Sequence, residues 1–201
     1  MAEPFNLKVW IDFVCPYCML ANKPLHEATA GLGVRLEWMP FELRPPPQPQ
    51  FRGDEEFIQR GWKQTVYPLA AKLGVDMHLP SVMPVPYTRL AFEGLQFARA
   101  AGKGEEYGDA VLRAFFQRDR DIGDIEVLAS IAAGIGLPAE EFREALATGK
   151  FREAHVNALR SAYEVGVQAV PSILLGNRLL SGVPDAAALR RAIEQHLGQL
   201  K

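Results

Sequence analysis

Leu7-Lys8-Val9-Trp10-Ile11-Asp12-Phe13 leads through Val14 into Cys15-Pro16-Tyr17-Cys18, and the reading of this stretch decides the architecture. Its first part alternates with period two and is rich in β-branched and aromatic side chains, the pattern of a strand with unlike faces. Its second part reads as the start of a helix. Pro16 fits a first turn, where a missing amide proton costs little. Beyond it Leu25, Ala28 and Leu32 recur at helical spacing as far as Gly31-Leu32-Gly33, where the helix is expected to end, with a kink at Pro24. The two cysteines of the chain therefore stand where a strand hands over to a helix. Two cysteines three positions apart are no disulfide framework, so the pair has to be explained by chemistry.

Reversible disulfide exchange needs this placement. Two intervening residues let the sulfurs meet, while the helix N-terminus stabilises a thiolate on the first of them. Cys15 is then the attacking sulfur, and Cys18, one turn inside, is the more buried, resolving thiol. Pro16 and Tyr17 support the site from between, with the polar tip of Tyr17 facing either the sulfur or solvent. Other readings compete. A zinc site would need a second cysteine pair, and His26, His78, His155 and His196 show no ligand spacing with one another, so no metal is expected. Inert buried thiols fit poorly with the strand-then-helix context and the adjacent proline. A cysteine hydrolase would need a base beside Cys15 that the sequence does not identify.

Working outward, Val34 to Leu43 reads as a second strand stopped by Pro45-Pro46-Pro47, which lack the amide protons a sheet requires. From about Asp54 the apolar period becomes helical. Ile58, Trp62, Val66, Leu69 and Leu73 form one stripe, broken or bent at Pro68, and four further segments follow: Leu90 to Ala98, Tyr107 to Phe115, Val127 to Ile135 behind an Asp124 N-cap, and one opened by Pro138. A long sixth helix carries Phe151, Ala154, Ala158, Ala162 and Val165. Strand character returns after Gly166: Val170-Pro171 precedes Ser172 to Leu175, the turn Gly176-Asn177 and Arg178 to Leu180, an economical hairpin. Asp185 can cap a last helix bearing Leu189, Ala192, Ile193 and Leu197. The expected organisation is an α/β domain over residues 1–50 and 158–201 interrupted by an all-helical insertion over 51–157.

A chain of 201 residues with 48% hydrophobic composition can bury a sizeable core without cross-links. Its 22 Lys plus Arg against 24 Asp plus Glu, with no long basic run, give no nucleic-acid footprint. Lys8 and Asp12 interrupt any signal-peptide core near the start, and no apolar run approaches the ~20 residues a membrane span needs, so a cytoplasmic protein without a membrane anchor is the expectation. An apolar face on the insertion leaves a homodimer open.

Phe13-Val14-Cys15-Pro16-Tyr17-Cys18 joined to Val170-Pro171 before a hairpin resembles the thioredoxin superfamily, in particular its DsbA-like branch with a helical insertion. Within that branch, Asp12 to Pro16, the segment from Phe115-Phe116 through Arg120-Asp121-Ile122-Gly123-Asp124, and Gly166 to Pro171 are similar to the FrnE-like proteins. The resemblance implies a thioredoxin fold: a four-stranded mixed sheet flanked by helices, with the all-helical insertion. It also implies a thiol–disulfide oxidoreductase or isomerase of protein or low-molecular-weight substrates, needing no cofactor, with glutathione open as a co-substrate. Pro171 would be a cis-proline whose loop faces the cysteines, leaving the main chain of Val170 beside Cys15 for an extended substrate strand. A trans proline that merely starts a strand is the alternative. In the related 2-hydroxychromene-2-carboxylate isomerases and kappa-class glutathione transferases a serine tends to stand where Cys15 stands, so this chain departs from them at the decisive position.

Asp12 lies closer to the cysteines than the buried acid of thioredoxins proper, and a solvated or capping carboxylate is expected there. Glu37 and Glu42 are further candidates for tuning the buried thiol. Trp10, Trp38 and Trp62 are expected in the core, and Met77, Met83 and the turns at Pro80, Pro84 and Pro86 are expected to rim the site.

Overall fold

The structure, a computed structural model, describes residues 5–199. Strand β1 (Phe5–Ile11) is central in a four-stranded mixed sheet. It pairs in parallel with β2 (Val34–Pro40) and antiparallel with β3 (Ser172–Leu175), and β4 (Arg178–Ser181) completes the order β2-β1-β3-β4. A parallel pair cannot be closed by a tight turn. Helix α1 (Pro16–Thr29) supplies the crossover, running unbroken through Pro24. The expected hairpin closes at Gly176-Asn177, with Gly176 at φ 61, where a Cβ would be strained.

Strand β2 ends three residues earlier than its apolar pattern predicts. The Phe41 amide still donates to the Ile11 carbonyl at 2.9 Å, but the Leu43 amide has turned away to the carboxylate of Asp12 at 2.7 Å. A side-chain acceptor thus replaces the sheet partner.

The expected helical stretch contains α2 (Glu56–Gly61), a π-helical turn (Trp62–Val66), α3 (Tyr67–Leu73), α4 (Arg89–Ala100), α5 (Gly104–Arg118), α6 (Ile125–Gly134), α7 (Ala139–Thr148) and α8 (Arg152–Val165), and α9 (Ala186–Gln199) closes the fold. Pro68 acts as foreseen, with a particular geometry. It sits in the first turn of α3, and the turn before it widens so that the Tyr67 amide reaches the Trp62 carbonyl. Asp124 caps α6 by accepting from the Glu126 amide at 2.7 Å, and Asp185 accepts from the Ala188 amide at 2.8 Å at the start of α9.

Period two in β1 sorts the core. Leu7, Val9 and Ile11 enter one large cluster with Leu20 and Leu25 of α1, Leu189 and Ile193 of α9, and Phe92 and Phe115 of the insertion. Trp10 points the other way and packs with Met39, Ala162 and Val167 beneath α8. The expected limit of the insertion at residue 157 falls inside α8, so this helix belongs to the cover of the sheet as well as to the helical stretch.

Candidate active site

Cys15 is the extended residue (φ −84°, ψ 116°) that caps α1, and Pro16 opens the helix behind it. The Cys15 amide donates to the Asp12 carbonyl at 3.0 Å, and the Cys18 amide donates to the Cys15 carbonyl at 3.0 Å. This tight first turn leaves Cys15 at the helix mouth and carries Cys18 into the core. Cys15 is 4% exposed and Cys18 0%. Both are thiols. Burial first, and then the neighbouring Cys15 sulfur, hold Cys18 well above the ordinary thiol range. Across from Cys15 stands the loop before β3. The Val170–Pro171 peptide is cis, and the Cys15 thiol faces the Val170 carbonyl oxygen at 3.7 Å. The structure thus brings Cys15, Pro16, Tyr17, Cys18, Val170 and Pro171 to one place, joined by β1 and β3 lying side by side.

Asp12 corrects an expectation. It is not solvated but 1% exposed, although it does cap locally, accepting from the Leu43 amide at 2.7 Å and the Val14 amide at 3.4 Å. The Thr88 side chain hydrogen-bonds it as well. Burial outweighs these bonds, and the nearby Glu42 adds repulsion, so its carboxyl is pushed up to about 7. Neither Glu37 nor Glu42 acts on Cys18 directly. Glu37 is taken by Arg99 of α4. Glu42 is held at 2.6 Å by the buried His155 of α8, and through its charge it bears on Asp12 instead. These partners come from the insertion, so nothing in the local sequence announced them.

In front of Cys15 opens an apolar cleft of about 450 Å³, walled by Tyr17, Phe57, Trp62, Phe116 and Val170 among others, and no residue lining it is charged. Trp10 and Trp38 are core as expected, but Trp62 also faces this cleft. Tyr17 is on the solvent side, one of the two directions expected: its side chain is exposed, its hydroxyl meets the Thr65 hydroxyl at 2.9 Å, and Thr65 in turn donates to the Gly61 carbonyl at 2.7 Å. The cysteine turn is thereby tied to the π-helical turn that forms the cleft wall. Of the expected rim, Pro80 lines the cleft, Met77 is buried in the core, and Met83, Pro84 and Pro86 line a neighbouring pocket. Among the described residues no cluster of three or more His, Cys, Asp or Glu is placed to hold a metal ion, and no helix is long and apolar enough to cross a membrane.

With this geometry established, the chain can be compared with known proteins. The profile of the DSBA-like thioredoxin domain matches residues 6–194. The uncharacterized protein YwbO of Bacillus subtilis (strain 168) is 41% identical over 190 residues, which cover 94% of this chain and 95% of that one. Among solved structures, the chain is similar to a "probable DsbA oxidoreductase" from Streptomyces coelicolor, at a TM-score of 0.81 and 25% identity over 96% of this chain and 90% of that one. It is also similar to 2-hydroxychromene-2-carboxylate isomerase, at a TM-score of 0.76 and 18% identity over 98% and 96% of the two chains, a likeness of fold alone.

Proposed function

Since the chain belongs to the DSBA-like thioredoxin domain family, we propose that it is a thiol–disulfide oxidoreductase in which Cys15 attacks and Cys18 resolves. The observation that carries this reading is the asymmetry of the pair: one sulfur at a helix mouth beside the Val170 carbonyl and an open cleft, the other sealed one turn behind it. The Cys15 thiolate attacks a substrate disulfide, forming a Cys15–substrate bond and releasing one substrate sulfur as thiolate. Cys18 then loses its proton and attacks the Cys15 sulfur, releasing the second. The substrate gains two electrons and two protons, and the Cys15–Cys18 pair is oxidised. A dithiol or low-molecular-weight thiol returns the pair to its starting state. In a reducing compartment such as the cytoplasm the pair would stand mainly as the dithiol.

The uncharged cleft favours apolar segments flanking cysteine in a protein substrate. Glutathione, with two carboxylates and an ammonium group, would enter it without an ionic partner, and that favours redox exchange with proteins over a glutathione-dependent isomerase or transferase activity. An extended segment in the cleft could pair with the main chain of Val170 while its cysteine meets Cys15.

Equilibration of the protein with a series of reduced and oxidised glutathione ratios, with free thiols counted at each, tests the assignment. A single two-electron transition involving both cysteines is expected. Stable glutathione adducts on each cysteine separately, with no internal disulfide, would overturn it.

A further inference from the structure

For the cleft to receive a substrate segment it has to stand open, and its own walls work against that. Phe57, Trp62, Leu79, Val85 and Phe116 face it from four separate segments. Apolar surfaces that meet across water gain about 25 cal/mol for each Å² they remove from it, so such walls tend to close on one another. Hydrogen bonds along the rim oppose that closure. The Tyr17 hydroxyl of the cysteine turn meets the Thr65 hydroxyl of the π-helical turn at 2.9 Å. Thr65 has a single O–H and donates it to the Gly61 carbonyl at 2.7 Å, so Tyr17 is the donor between the two. Two positions after Thr65, the Tyr67 hydroxyl accepts from the Leu79 amide at 3.2 Å, in the loop that forms the next wall. Further along that loop the Val85 amide donates to the Phe51 carbonyl at 2.8 Å, and just beyond Phe51 the Gly53 carbonyl accepts from Nε2 of Gln59 in α2 at 2.6 Å. Helix α2 leads back into the π-helical turn, so the bonds run in a ring around an apolar mouth.

The π-helical turn is the hub of this ring. Tyr67 stands edge-on to Trp62 with ring centroids 5.3 Å apart. The two are five positions apart, a spacing at which an ordinary α-helix would turn them well away from each other; the widened turn before Pro68 brings them together. Thr65 therefore holds one aromatic wall of the cleft, Tyr17, and Tyr67 holds another, Trp62, while fastening the Leu79 loop on its far side. That loop is pinned from behind as well, by the His78 amide on the Phe116 carbonyl at 3.0 Å and by Ser81 on the Asp119 carboxylate.

We propose that Thr65 and Tyr67, neither of which walls the cleft itself, are positioning residues for substrate specificity: their hydroxyls keep the cleft open in the free protein, so that a bulky apolar side chain beside the substrate cysteine enters without first parting the walls. The inference rests on the reading of Cys15 and Cys18 as an exchanging pair and adds which substrates that pair prefers. A substrate with nothing to place in the cleft gains nothing from its being open, and its exchange at Cys15 is indifferent to both hydroxyls.

Two short peptide disulfides test this, one with phenylalanine and one with glycine on both sides of the cysteine, with dithiothreitol returning the pair to thiols after each turnover. Thr65→Val and Tyr67→Phe should each raise KM for the phenylalanine peptide by about three- to tenfold, the range of one neutral hydrogen bond, and leave its kcat within about twofold. For the glycine peptide kcat/KM should stay within about twofold. Thr65→Ser keeps the hydroxyl and should restore the native KM, and Tyr17→Phe added to Thr65→Val should cost nothing more, because both remove the same bond. An unchanged KM for the phenylalanine peptide in both variants would overturn the proposal, and so would an equal loss on the two peptides, which would place the effect on the cysteine turn instead of the cleft. Turnover of either peptide by Cys15→Ser at the native rate would sink the exchange mechanism itself, so the two failures are told apart.

Discussion

Cys15→Ser should reduce insulin no faster than background, a loss on the order of 10³-fold or more, because deleting an attacking nucleophile removes the covalent route altogether. A hydroxyl at the same helix mouth stays protonated at neutral pH and is a poor nucleophile towards sulfur. Cys18 cannot take over. It is sealed from the cleft, and burial and the sulfur in front of it hold its thiol protonated. Cys18→Ser should fail differently. Its Cys15 still attacks, but nothing releases the product, so one equivalent of substrate is consumed and a Cys15–substrate disulfide accumulates, visible as a band that a strong reductant removes. Turnover in Cys15→Ser equal to that of the native protein would end the redox reading, and multiple turnovers in Cys18→Ser would leave the resolving role without support.

What could be read in advance, and what could not, follows the range of the interactions. The turn from β1 into α1, the β3–β4 hairpin and the caps at Asp124 and Asp185 rest on neighbours within a few residues, and each stood where its local pattern put it. The placement of Val170 against Cys15 crosses the whole insertion, and it came from the resemblance rather than from any periodicity. Asp12 shows the limit. Its burial depends on Leu43, thirty-one positions on, and on Thr88 from the insertion, so a carboxylate that looked free to be solvated is enclosed by segments whose approach no window of sequence displays. The short β2 has the same cause, since the amide that would extend the strand was spent on Asp12. Trp62 is a milder case. Its helical stripe marks it correctly as packed, but one face of a core position can also be the wall of a cleft.

Gly94→Ala is expected to lower the stability of the fold by about 2–3 kcal/mol, although alanine is intrinsically the better helix former by about 1 kcal/mol. Gly94 lies on the buried face of α4, and a Cβ there would stand 2.3 Å from the Tyr107 hydroxyl oxygen and 2.6 Å from Cζ of Phe142. Both rings are fully buried, on α5 and α7, so neither can swing into solvent. The glycine lets three helices close on one point. Tyr107 supplies a way to separate this clash from a general defect, because its hydroxyl is buried without a partner. Tyr107→Phe alone should be neutral or stabilising by up to roughly 1 kcal/mol, and combined with Gly94→Ala it should restore part of the loss, with a coupling of about 1 kcal/mol in a double-mutant cycle. Gly134→Ala, in α6 with nothing within 4 Å of the added carbon, is the control and should gain stability. Denaturant unfolding of the four variants decides the matter: if Gly94→Ala and Gly134→Ala move together, close packing at the α4–α5–α7 junction is not what the glycine provides. If they diverge, the effect should reach the cysteines too, since Phe92, two residues before Gly94, stacks on Phe13 at 4.5 Å beside the active-site turn.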